Sequence, residues 1–312
     1  MKRIIKIIVW TELFALLSVL LFSAITFAAS MTETVSKIVS DSKRFENAEE
    51  IKYCYDEDKA VLSVFSIKSL DIGNEQIDYI DDCVRVKISE NGVMNYLPES
   101  TPPSGLSSDE ARAMISTRLW LFKTDLYDNT EMLDYTRTPI NDYGIEKYPL
   151  LDDFSTFAKF TGYLKTLFTD NIAEHYIEDT TITVFGNELY DIGGKVAQFT
   201  FDYDNFATEE VFTSENGAWH LYRVTVYFDN DMHDLENTYD DFYIGLYYTQ
   251  KGWRIAQTTF KNESEIIYLE TYENKEVKAN NPSTADISVV FPLILIISLT
   301  GSLLCLKKGN RS

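Results

Sequence analysis

The sequence predicts an α+β fold in which helices pack on a curved, cone-like antiparallel sheet, preceded by a small β-rich subdomain. Three observations carry this expectation. Stretches 107–126 and 154–168 repeat apolar residues three and four apart, which is the helical period. Strand-type runs then follow one another from 181 to 260, separated by turn residues such as Gly193-Gly194 and Lys251-Gly252. Ahead of both, β-type runs at 59–67 and 84–88 stop at the Pro- and Gly-containing break 101–105. Helices first and antiparallel strands afterwards is the order of an α+β domain.

Taken in order, residues 1–29 have the three regions of a signal peptide. Lys2, Arg3 and Lys6 come first, an apolar run passes through Leu20, Leu21 and Phe22, and small residues close it near Ala28. Cleavage near Ala28 is expected; retention as a second anchor is the alternative, which Glu12 disfavours. Residues 30–100 form the β-rich subdomain, with a polar lead-in at 31–50 able to form a short helix. The run 84–88 alternates cleanly, and Glu90-Asn91-Gly92 is a hairpin turn signal. A linker at 101–106 leads to the larger domain, 107–265.

That domain opens on Ser107 and Glu110 at capping-box spacing, with Ala111, Ile115, Leu119, Phe122 and Leu126 on one face. Phe154, Phe157, Thr161, Leu164 and Phe168 mark a second helix, and Thr169-Asp170 caps a third, short one at 171–178. The strands are expected at 181–185, 188–192, 195–203, 209–213, 219–228, 242–249 and 253–260. A stalk is expected over 266–286.

The C-terminus speaks to location. Residues 287–306 carry no charge and are long enough for the roughly 30 Å of a bilayer's hydrocarbon. Lys307, Lys308 and Arg311 follow, favouring a cytoplasmic tail at 307–312 and an ectodomain outside the cell. Just before the span stand Asn281, Pro282, Ser283 and Thr284. Asn-Pro-x-Thr, an apolar span and a basic tail resemble the sorting signals of Gram-positive surface proteins. The resemblance implies sortase cleavage between Thr284 and Ala285 and transfer to peptidoglycan, although Ala285 stands where that family usually has Gly. Pro282 biases Asn281 toward an extended conformation, which a protease-like groove binds. The alternative is an ordinary membrane stalk. By either route the chain is expected at the cell surface, exported and held C-terminally by membrane or wall.

Composition limits the chemistry. Of 312 residues, 49 are acidic and 28 basic, a formal net charge of -21 that repels nucleic acid phosphates and excludes a nucleic-acid role. Twenty Tyr and 19 Phe supply a substantial core. Outside the apolar span the cysteines are Cys54 and Cys83, which either close a disulfide or stay as buried thiols. The three His are scattered without metal-ligand spacing, so no metal or other cofactor is expected. No catalytic Ser-His-Asp or Cys-His arrangement and no phosphate-cradling Gly loop is found. The densest acidic loop holds Asp229, Asp231, His233, Asp234 and Glu236. It lacks the spacing of a calcium loop and reads as a solvated hairpin loop, or as the place where a basic partner would dock.

Tyr163-Leu164-Lys165-Thr166-Leu167-Phe168-Thr169, Ala173, Ile177 and the closing Gly252-Trp253-Arg254-Ile255, behind the 111–120 helix, carry a further resemblance. Over 106–262 the chain looks like the nuclear-transport-factor-2-like, cystatin-like group, and within it is most similar to secreted IseA-type inhibitors of DL-endopeptidases. That implies a non-catalytic protein occluding the cleft of a Cys-His peptidoglycan hydrolase. Two other functions stay open. One is an adhesin or small-ligand module with an apolar cone. The other is an isomerase with an Asp base and Tyr acid, drawn from Tyr190 with Asp191, Asp202 with Tyr203, or Tyr227 with Asp229.

Overall fold

Residues 30–41 are helical (α1), and the reason is spacing: Met31, Val35 and Ile38 fall on one face and are buried. They pack on Leu62, Val64, Val84 and Val86 of a meander, β1 (Glu50–Asp56), β2 (Val61–Ile72), β3 (Glu75–Ile88) and β4 (Met94–Tyr96). The polar lead-in is thus a helix covering one face of the first sheet. The runs expected at 59–67 and 84–88 are the apolar centres of longer strands, β2 and β3. This computed structural model describes residues 30–73, 75–89, 92–99, 102, 105–126, 131–193, 200–229 and 239–272. The expected signal peptide, Asn281, Pro282, Ser283 and Thr284 of the expected sorting motif, the apolar run 287–306 and most of the acidic loop lie outside those residues. Among the described residues, no helix is long and apolar enough to cross a membrane.

The capping box expected before the first long helix is formed. Ser107 Oγ accepts from Glu110 N at 3.2 Å while Glu110 Oε2 accepts from Ser107 N at 3.1 Å. The helix is α2 (Ser108–Leu126), with Ala111, Ile115 and Leu119 buried. A hairpin follows that sequence periodicity did not show, β5 (Ile140–Asp142) and β6 (Ile145–Pro149). Its residues are mostly polar, and Tyr143-Gly144 turns it with positive φ at both positions. Next come α3 (Phe157–Leu167), capped by Thr156 accepting from Lys159 N, and α4 (Asp170–His175), continued by a 3-10 turn over Tyr176–Asp179.

The remaining strands are β7 (Thr183–Phe185), β8 (Glu188–Ile192), β9 (Thr200–Thr213), β10 (Trp219–Asp229), β11 (Tyr239–Thr249), β12 (Gly252–Thr258) and β13 (Glu263–Ser264). Five of them, β7, β8, β10, β11 and β12, lie within three residues of an expected strand at each end. Residues 195–199 lie outside the described residues; from Thr200 on, the expected pair 195–203 and 209–213 is one strand through the polar middle, because Phe206 is buried there against Val226. Strand orders are β5-β6-β8-β7 and β13-β12-β11-β10-β9, both antiparallel throughout. Bulges at Leu221/Tyr222, Val226/Phe228 and Gly245/Leu246 curl the second sheet. The fold is therefore α+β, with helices packed on a curved antiparallel sheet.

One face of that sheet meets α2, α3 and α4 through Ile115, Leu119, Phe160, Leu164, Val224, Ile244, Leu246 and Ile255. This cluster packs beneath the helices. The exposed backbone edge of β9 is partly answered by α2, where Arg112 Nη1 donates to Phe206 O at 3.1 Å. The opposite face meets the first sheet: Phe65, Ile67, Tyr79 and Ile80 pack with Trp219, Ala256, Ile266 and Leu269. The stalk expected from residue 266 is corrected here. Glu265–Tyr268 form a 3-10 turn whose Ile266 is buried, Leu269 is buried after it, and β14 (Glu270–Thr271) pairs with β1. Apolar Ile266 and Leu269 belong to the seam, so a stalk has to begin beyond Tyr272.

Candidate functional site

Where the two sheets meet, their twist leaves a cleft of about 1000 Å³. One wall is the β1–β3 surface, where Cys54 lies opposite Ser63 and Phe65 opposite Cys83. The other is built by α4, the β11–β12 turn and the Glu265 turn, which bring in Asp170, Lys251, Arg254 and Glu265. Nine carboxylates and six basic side chains line it. Most of the rim pairs off: Arg44 with Asp82 and with Glu99 at 2.6 Å, Lys251 with Asp170 at 2.6 Å, and Lys165 with Glu174 at 2.6 Å. Such half-exposed pairs contribute about 0–1 kcal/mol each, so they shape the rim more than they stabilise the fold.

The floor is different. Glu265 is 7% exposed; its Oε1 accepts from Asn171 Nδ2 at 2.6 Å, and its carboxylate is also hydrogen-bonded by the Thr169 hydroxyl and the Ile172 amide. Burial pushes its carboxyl above the usual range, and the bonds from Thr169, Asn171 and the Ile172 amide offset only part of this. Arg85 Nη1, on β3, is buried without a partner. The Tyr247 hydroxyl is held well above its ordinary pKa by burial.

Cys54 and Cys83 are free thiols, which corrects the disulfide reading. They sit on the same face but on β1 and β3, with β2 between them. Two strand spacings put their backbones about 9–10 Å apart at least, beyond the roughly 7 Å that a disulfide can bridge. Burial pushes Cys54 up to about 12 and Cys83 higher still, so both stay protonated near neutral pH and are poor nucleophiles.

Of the Asp–Tyr pairs, Tyr190 and Asp191 are neighbours on β8 and point to opposite faces. Asp191 is held by Thr181 Oγ1 and by its neighbour Ile192 N at 2.7 Å, while Tyr190 donates to Glu188 at 3.1 Å. Tyr227 is partly exposed near the end of β10, and Asp229 ends that strand. Asp202 and Tyr203 fall in β9. Asp231, His233, Asp234 and Glu236 lie outside the described residues. Among described residues, no group of three or more His, Cys, Asp or Glu is placed to hold a metal.

Glu265, Arg85 and Asn171 were not singled out from sequence. Their one available signal was Ser264-Glu265-Ile266, a capping serine and an acid set directly against an apolar pair. A test of Glu265 follows from its environment. Its folded-state pKa is raised, so the stability it allows is fully present below the unfolded value and is lost as pH rises through the folded value. Glu265→Gln is therefore expected to match the wild type in thermal stability near pH 4 and to exceed it increasingly toward pH 7. Parallel pH curves for the two proteins would show that Glu265 titrates normally.

No family model matches the chain. No curated protein matches it either. Among solved structures, a chain described as an Ntf2 like protein involved in plasmid conjugation aligns at 10% identity and a TM-score of 0.22, covering 66% of this chain and 72% of that one.

Proposed function

We propose that the chain is a non-enzymatic binding protein retained at the cell surface, and that it inhibits or regulates a peptidoglycan DL-endopeptidase. The observation that supports binding over chemistry is the distribution of space. Buried side chains such as Phe160, Leu164 and Ile255 pack under the helices, and the cleft at the seam is acid-rich, with thiols that stay protonated. The resemblance to IseA-type inhibitors supplies the partner class, and the net charge of -21 suits fast encounter with a basic enzyme surface. Retention at the surface rests on the signal-peptide pattern and on the C-terminal span with Asn281, Pro282, Ser283 and Thr284 before it.

The test is a titration of DL-endopeptidase turnover with the purified full-length chain. Slowing that saturates near one chain per enzyme is expected. Unchanged turnover across a panel of wall hydrolases removes the inhibitor reading. The mass of the C-terminal peptide in cell-wall digests decides the anchoring: an end at Thr284 joined to a wall fragment supports sorting, and an intact 285–312 supports the membrane stalk.

A further inference from the structure

We infer that the outer edge of β7 is a docking site for an extended, basic segment of a partner protein, which adds to the small sheet as a further strand. The inference goes beyond the wall-hydrolase reading and does not rest on it.

Strand β7 (Thr183–Phe185) ends the order β5-β6-β8-β7, so one side of its backbone has no neighbouring strand. The end strands β5, β9, β13 and β14 each carry an acidic residue. Charge of that kind keeps an edge from pairing with another chain. Strand β7 has none: it reads Thr-Val-Phe, residue types favoured in strands, with Val184 54% and Phe185 60% exposed. Val184 stands opposite Leu189, which is fully buried. Phe185 turns to the other face, its ring 6.1 Å from that of buried Tyr190. Apolar surface thus runs from the interior to the edge on both faces of the sheet and stops there.

The edge and its surroundings select the occupant. A row of backbone N–H and C=O groups is matched along its length by another extended backbone, with apolar side chains where they fall beside Val184 and Phe185. A lipid surface or a small ion supplies no such row. Charge decides the rest. Glu188 stands opposite Phe185, and the 150–155 turn, bonded to Leu189 through Leu150 N and Ser155 O, carries Asp152 and Asp153. Exposed Glu178 lies in the 3-10 turn leading into β7. Arg137 answers Glu188 at 2.7 Å and Lys159 answers Asp152 at 3.3 Å, whereas among the described residues no ion pair answers Asp153 or Glu178. The surroundings are net negative, as is the whole chain at -21. A second copy of the chain is therefore repelled, and a segment with Lys or Arg flanking its apolar residues is attracted.

The experiment is fluorescence anisotropy at pH 7, titrating the purified full-length chain into three labelled, end-capped heptapeptides. The first is Lys-Lys-Val-Ile-Val-Lys-Lys, the second has Glu for every Lys, and the third has Pro for the central Ile. The first is expected to bind at least about tenfold more tightly than the second, through charge, and than the third, which lacks a backbone donor. Val184→Thr with Phe185→Thr keeps charge and strand preference while removing apolar surface, and is expected to weaken the first peptide at least about fivefold. If that variant does not fold, the comparison of the three peptides on the wild type still decides. Sedimentation of the chain alone is expected to show a monomer. Equal binding of the three peptides, no binding up to millimolar concentration, or binding unchanged in the double variant would each overturn the inference. So would a dimer that the double variant dissociates, because the edge would then be covered by a second copy.

Discussion

Trp219→Ala is expected to lower the unfolding free energy by about 3–5 kcal/mol, the range for emptying a large buried aromatic site. Trp219 is fully buried in the seam between the two sheets, with its ring 6.3 Å from Tyr79 and 6.0 Å from Tyr247. The space has no slack. A Cβ on Gly245, in the facing strand β11, would come within 2.4 Å of Trp219 Cζ2, so glycine is required for the indole to lie there. Gly245→Ala is accordingly expected to cost about 1–3 kcal/mol through overpacking. Trp219→Phe removes the outer indole ring together with an Nε1–H that is buried without a partner, and so should cost less than alanine. Because Phe lacks Cζ2, Trp219→Phe with Gly245→Ala should cost less than the sum of the two singles. Urea denaturation with unchanged m-value measures all four. A loss under about 1 kcal/mol for Trp219→Ala would show that the seam collapses around the hole.

The seam also marks where sequence stops being informative. Local rules worked where the cause was local. Ser107 and Glu110 cap each other because their spacing allows it, and the 84–88 alternation places Val84 and Val86 on a buried face. Strand β1 was missed because it is half-buried along its whole length and so shows no alternation. The β5–β6 hairpin was missed because its turn uses Tyr143 at positive φ rather than Asn or Asp before Gly. The cleft was illegible for a different reason. Arg85 and Glu265 are far apart in the chain and line one cleft only because Ile266 and Leu269 dock the last turn on the first sheet. Nothing in either neighbourhood encodes the other. The cysteine pair shows the same limit: spacing in sequence allowed a bridge, and one intervening strand forbids it.

Arg118→Met is expected to cost about 3–5 kcal/mol, as breaking one side of a buried ion pair does. On the face that carries Ala111, Ile115 and Leu119, helix α2 also carries Arg118, fully buried, where the apolar pattern calls for a hydrocarbon. Its guanidinium lies over Phe260 at 4.7 Å and over Phe168 at 5.2 Å, and Nη2 donates to Glu263 Oε2 at 2.8 Å. Removing the cation leaves Glu263, with its side chain 13% exposed, holding only Thr258 Oγ1 at 2.9 Å on that oxygen. The penalty then comes from the abandoned carboxylate and not from lost packing, since Met fills much of the same volume over the same rings. That distinction is testable. Arg118→Met with Glu263→Leu should recover most of the loss, because an apolar pair of similar size replaces a buried ion pair at little net cost. The cycle from wild type through both singles to the double, followed by chemical denaturation, isolates the coupling. If the double variant is no more stable than Arg118→Met alone, the damage lies in packing against Phe168 and Phe260, and the ion pair with Glu263 is incidental to how α2 is held.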